Sequence, residues 1–159
     1  MEQKFTVAKI KSAGDLKNEI KKAVDVLGGF AAFIKKGDVV FLKPNFNTAD
    51  PYPASTDLPF LKAAVELLYE AGAKLVMIGE SSTYTLNTRK VLEQRGVFAL
   101  QETMATPPRI YVLDELEWVK KEIPNGKYLK SASIPKLLEK ADKIVYLPCL
   151  KTHSQGRFT

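Results

Sequence analysis

Three short stretches carry the side chains best suited to chemistry: Lys43-Pro44-Asn45, Gly79-Glu80-Ser81-Ser82 and Lys151-Thr152-His153. A lysine ammonium is a point charge for a carboxylate or phosphate, and Asn45 adds a directional amide beside it. Glu80 can act as a general base or a metal ligand, its ionisation set by a neighbouring lysine. His153, the single histidine of the chain, titrates near neutrality and suits a proton shuttle or a metal ligand. The candidate catalytic residues are therefore Glu80, His153 and Lys151, and the candidate ligand-binding residues are Lys43, Asn45, Thr56, Ser81 and Thr152. Glu80 and His153 are also the candidate metal ligands, a thin set where catalytic zinc takes three protein side chains. Plainer readings stand beside these: a lysine leaving a strand for solvent, a capping glutamate, a histidine in a terminal tail. No glycine spacing matches a P-loop or a dinucleotide-binding fingerprint. Cys149, beside Leu150, reads as a small buried hydrophobe rather than a nucleophile.

These groups meet only if the elements before them share a direction. Each cluster follows an apolar run: Val39 to Leu42, Leu75 to Ile78, and Ile144 to Leu147. Unbroken apolar runs mark strands covered on both faces, and ligands of open parallel sheets bind outside the carboxyl ends of the strands. Upstream, Phe5 to Ile10 alternates apolar and polar residues and predicts a half-buried first strand. Asp15 offers an N-cap for a helix with Leu16, Ile20, Ala23, Val24 and Leu27 at helical spacing, stopped by Gly28-Gly29. Thr56 is expected to cap a second helix, closed by Gly72, and Asn87 or Thr88 to open a third, closed by Gly96. Arg109 to Leu113 is another strand, Pro124-Asn125-Gly126 a hairpin-like turn, Ser133 and Pro135 the start of a short helix, and Lys143 to Leu147 the last strand. The long connection from Phe46 to Leu58 reads as a lid or mobile flap. The alternation predicts an α/β fold: a mostly parallel open sheet with helices on both faces, Rossmann-like and three-layered.

The 159 residues (17.7 kDa) suit a single α/β domain over 1–159. One cysteine allows neither an internal disulfide nor a self-contained iron–sulfur cluster, and points to a reducing, cytoplasmic setting. No segment approaches the ~18 uninterrupted apolar residues of a membrane helix, and the opening residues lack the apolar core of a secretory signal. A net charge of +6 and a pI near 9.3 invite a nucleic-acid reading. The cations are mostly lysines, scattered singly or in pairs rather than clustered as arginine with aromatics. Neither nucleic acid nor membrane is an expected partner.

Three segments, "VVFLKPNFN", "PASTDLPFLKAAVELLYEAGAKLVMIGESS" and "ADKIVYLPCLKTHSQGRFT", in this order, resemble the family called domain of unknown function 362. The shared positions are Lys43, Pro44, Asn45, Thr56, Gly79, Glu80, Lys151, Thr152, His153 and Thr159. The resemblance implies longer relatives that continue past the lysine-threonine-histidine motif, so the chain is expected to be the N-terminal part of a longer member and its domain incomplete. It also implies an association with iron–sulfur proteins and redox chemistry, although this chain lacks the cysteines for a cluster of its own. The expected function is an uncharacterised ligand- or metal-binding domain. It would be the half of an enzyme that binds an anionic small molecule or cofactor of unknown identity at the carboxyl ends of its strands. The alternative is a non-catalytic module whose lysine surface docks an iron–sulfur, ferredoxin-like redox partner. Copies of the same chain are a further possible partner.

Overall fold

The computed structural model describes residues 5–153, 157 and 158. The Asp15 carboxylate accepts from the Asn18 N–H at 3.1 Å and opens helix α1, Leu16–Val26. Strand β1, Val39–Lys43, leads through a long loop to α2, Leu58–Glu70, and β2, Leu75–Glu80. Next come α3 (Thr88–Gln94), α4 (Leu100–Thr103) and β3 (Arg109–Val112). A hairpin of β4 (Trp118–Glu122) and β5 (Ser131–Pro135) precedes β6, Lys143–Tyr146. At its turn Asn125 takes the left-handed backbone conformation, φ 61°. The short pair β7 (Thr152–His153) and β8 (Arg157–Phe158) follows.

The main sheet has the order β3-β2-β1-β6, and every neighbouring pair is parallel. The chain builds outward from β1 through β2 to β3, then crosses back to lay β6 on the other side of β1. This reversal opens a crevice between the carboxyl ends of β1 and β6, the usual ligand position of such sheets. The fold is α/β with a mostly parallel sheet, as the alternation of elements predicts.

The two faces of the strands bury different partners. Val40 and Leu42 of β1, with Val76 and Ile78 of β2, pack into one core with Leu61, Val65 and Leu68 of α2 and Val91 and Leu92 of α3. Each such side chain withdrawn from water contributes about 1.5–3 kcal/mol. On the other face Phe41 and Met77 meet Leu113 and Leu137, carried by 3-10 turns at Leu113–Glu115 and Lys136–Lys140. Gly79 is essential to that packing. A Cβ there would lie 2.5 Å from the Phe41 ring and 2.9 Å from Leu113.

Several local expectations are corrected. Phe5 to Ile10 forms no strand; Phe5 and Val7 are exposed. Alternation prepares a segment for a sheet, but β1 already has neighbours on both sides, and the segment finds no ladder. The cap of α2 is Asp57, whose carboxylate accepts from the Phe60 N–H, and not Thr56. The Phe46 to Leu58 connection is no free flap. Phe46 and Ser55 are fully buried, and the Ser55 hydroxyl donates to the Thr48 carbonyl at 3.1 Å. Cys149 is half-buried rather than part of the core.

Candidate functional site

Parallel pairing puts the ends of β1, β2 and β6 on one rim. Lys43 closes β1 and Glu80 closes β2. The Glu80 side chain has no exposed surface and forms an ion pair with the Lys43 ammonium. Its two oxygens also accept the Ser81 N–H at 2.9 Å and the Phe46 N–H at 2.8 Å. One carboxylate thereby binds the exits of two strands together. The Ser82 hydroxyl, donating to the Phe46 carbonyl at 2.7 Å, adds a second tie.

Thr56 joins the other side of the crevice. Its buried hydroxyl accepts from the Asn45 N–H at 2.7 Å and donates to the Leu147 carbonyl at 3.2 Å, linking the exits of β1 and β6. Lys151, a few residues beyond β6, reaches back to the same loop and donates to the Ala54 carbonyl at 2.5 Å. Asn45, Thr56 and Lys151 therefore gather beside the exits of β1 and β6, while the Lys43 ammonium turns to Glu80 at the end of β2. The Asn45 Oδ1 atom is buried and has no hydrogen-bond donor among the described residues.

Ser81 points elsewhere. Its hydroxyl and that of Thr88 both donate to Asp114, beyond β3, on the far side of Glu80. Thr152 is exposed in β7. The backbone of His153 lies in the same short strand, while its side chain falls outside the described residues, as does Thr159. Among the described residues, no three of His, Cys, Asp and Glu gather closely enough to hold a metal ion.

An open cleft of about 680 Å³ adjoins the crevice. Its walls are the apolar face of α1 (Leu16, Ile20, Ala23), Phe60 at the start of α2, and Leu147 to Leu150 beyond β6. Two carboxylates line it. Asp57 caps α2, and Glu19 accepts the Ala13 N–H at 2.5 Å and the Ser12 hydroxyl at 2.8 Å. Those bonds hold the Glu19 carboxyl below the usual carboxylate range. Sequence reasoning places the helical stripe of α1 but not this cleft. The signal was there in part: the stripe is apolar, yet α1 buries none of its residues fully.

Sheet order and rim define a class: an open parallel α/β domain whose strand order reverses between β1 and β6. The chain belongs to the family described as domain of unknown function (DUF362), whose model matches residues 40–159. It is also similar to the thylakoid-associated protein sll1697 of Synechocystis sp., with 31% identity over 155 residues. That alignment takes in 92% of this chain and 44% of the relative, so the chain spans less than half the relative's length. No solved structure matches it. Among the described residues no helix is long and apolar enough to cross a membrane.

Proposed function

We propose that the domain binds a small anionic molecule in the crevice between the carboxyl ends of β1 and β6, as the binding half of a larger enzyme. The observation that carries this is the Lys151 ammonium, held by the Ala54 carbonyl on the loop that Thr56 ties to the exit of β6. An ammonium group there favours a carboxylate or phosphate. Asn45 supports the same reading, because its unpartnered Oδ1 can accept an N–H or O–H from a ligand. In this proposal Glu80 organises the site: it fixes the Lys43 ammonium and the two loops. A metal at Glu80 would have to displace that ammonium, so none is assigned there. Thr152 and His153 follow Lys151 in the sequence, and the proposal gives the histidine the part of proton carrier. Ser81 supports the β2 exit through Asp114.

The test is thermal unfolding with inorganic phosphate or acetate, against chloride at equal ionic strength. Binding to the folded state raises Tm by mass action. Wild-type protein is expected to gain Tm with either anion and Lys151→Ala to lose most of the gain. Lys151 suits this test because, among the described residues, the hydrogen bond of its ammonium goes to a loop carbonyl. No gain in the wild type, or an equal gain in the variant, contradicts the proposal.

A second reading keeps the basic surface for a macromolecular partner. The net charge of +6 would steer an acidic iron–sulfur protein to this domain, in a cytoplasmic setting. Such an association weakens steeply as salt rises.

A further inference from the structure

The crevice and the neighbouring cleft share Thr56 and Leu147. Leu150 lines the cleft and Lys151 follows it; Pro53 lines the cleft and is followed by Ala54, whose carbonyl holds the Lys151 ammonium. A cation therefore stands at the mouth of an apolar hollow. Its volume of about 680 Å³ falls in the range of small-molecule sites, roughly 300–1,000 Å³. Among the described residues the lining of the hollow has no lysine or arginine, and its charged groups are the carboxylates of Glu19 and Asp57. Glu19 accepts from the Ala13 N–H and the Ser12 hydroxyl, and Asp57 from the Phe60 N–H. A second negative charge carried into the cleft would face both of them without a counter-charge.

We propose that the ligand is an amphipathic monoanion. Its single carboxylate-like or sulfonate-like head is held at Lys151, and its apolar body lies between α1 and the Leu147 to Leu150 segment. This rests on the proposed anion site and gives it a substrate class. The apolar wall selects a hydrocarbon or aromatic body, Lys151 selects the sign of the head, and Glu19 with Asp57 selects against polyanions such as nucleotides. Leu16, Ile20 and Ala23 stay half-buried although α1 packs beside α2, and the apolar body of the ligand would cover what is left open.

Isothermal titration with decanoate, acetate, inorganic phosphate and decyltrimethylammonium separates the components. Decanoate is expected to saturate one site and to bind about tenfold or more tightly than acetate, the effect of burying two or more methylenes. Ala23→Trp, which fills the cleft from a helix with no fully buried residue, should abolish that advantage. Lys151→Ala should weaken decanoate binding about tenfold, the scale of one lost charge-assisted hydrogen bond. Circular dichroism checks that both variants fold. Decanoate no tighter than acetate, with phosphate still bound, overturns this inference and leaves the anion site standing. Loss of all anion binding in the wild type removes both. Tighter binding of the cationic decyl compound, or decanoate binding unaffected by Ala23→Trp or by Lys151→Ala, also overturns it.

Discussion

The pair formed by Lys43 and Glu80 concentrates the chemistry of this domain in two atoms' reach. Glu80 has no exposed surface, and the Lys43 side chain retains 27% of its own. An ionised carboxylate withdrawn from water is costly unless a counter-charge and hydrogen bonds accompany it, and here an ammonium and two backbone N–H groups do so. Lys43→Ala leaves the carboxylate stranded and should lower stability by about 3 kcal/mol, the low end of the usual range because the ammonium is partly in water. Adding Glu80→Gln to that variant should recover part of the loss, since a neutral amide tolerates the site better. Urea unfolding of both proteins measures it. A cost within error of zero for Lys43→Ala would show that the carboxylate is held by the loops alone. The exposed pairs, such as Lys121 with Glu139, contribute far less because solvent screens them.

At the scale of the elements, close approach decides more than propensity. Gly79 lets β2 lie against the Phe41 ring and Leu113. Gly79→Ala is expected to cost about 1–3 kcal/mol, the usual penalty for forcing an extra carbon into a packed core. An unchanged denaturation midpoint would mean that the ring rotates away freely. Most of the elements were legible in the sequence. The apolar runs of β1, β2 and β6 announce buried strands, and the spacing of Leu61, Ala64, Val65 and Leu68 announces α2. Their common direction follows from the helices between them, which is why Lys43, Asn45, Glu80 and Lys151 could be brought to one rim in advance. Phe5 to Ile10 was misread because alternation says nothing about which strand would supply the hydrogen bonds. The role of Thr56 was also hidden: a threonine beside an aspartate is an equally good cap on paper, and its link to Leu147 spans 91 residues. The cleft could not be seen because it exists only between α1 and a segment more than a hundred residues later.

For the molecule as a whole, charge is spread over its surface in pairs that respond to pH. Hydrogen bonds from Ala13 and Ser12 hold Glu19 below the ordinary carboxylate range, and the Arg89 and Lys121 side chains do the same for Glu115 and Glu139. Groups with a lowered pKa in the folded state stabilise it above the unfolded value and stop doing so as pH falls through the folded one. Tm is therefore expected to stay level from neutral pH down to the ordinary carboxylate range and to decline below it. Lys17 and Lys136, raised by Glu70 and Glu117, act oppositely: their contribution is complete below the ordinary lysine value and fades only as pH climbs above it. Calorimetric scans across pH would show the plateau. A Tm that rises on acidification contradicts the assignment for the carboxylates.

The sheet also ends abruptly. Among the described residues β6 pairs with β1 alone, and Ile144 and Tyr146 stand exposed on it at 47% and 67%. A margin of that kind offers unsatisfied main-chain donors and acceptors to any extended polypeptide that comes near. Concentrated solutions of this domain should cloud first by margin-to-margin joining.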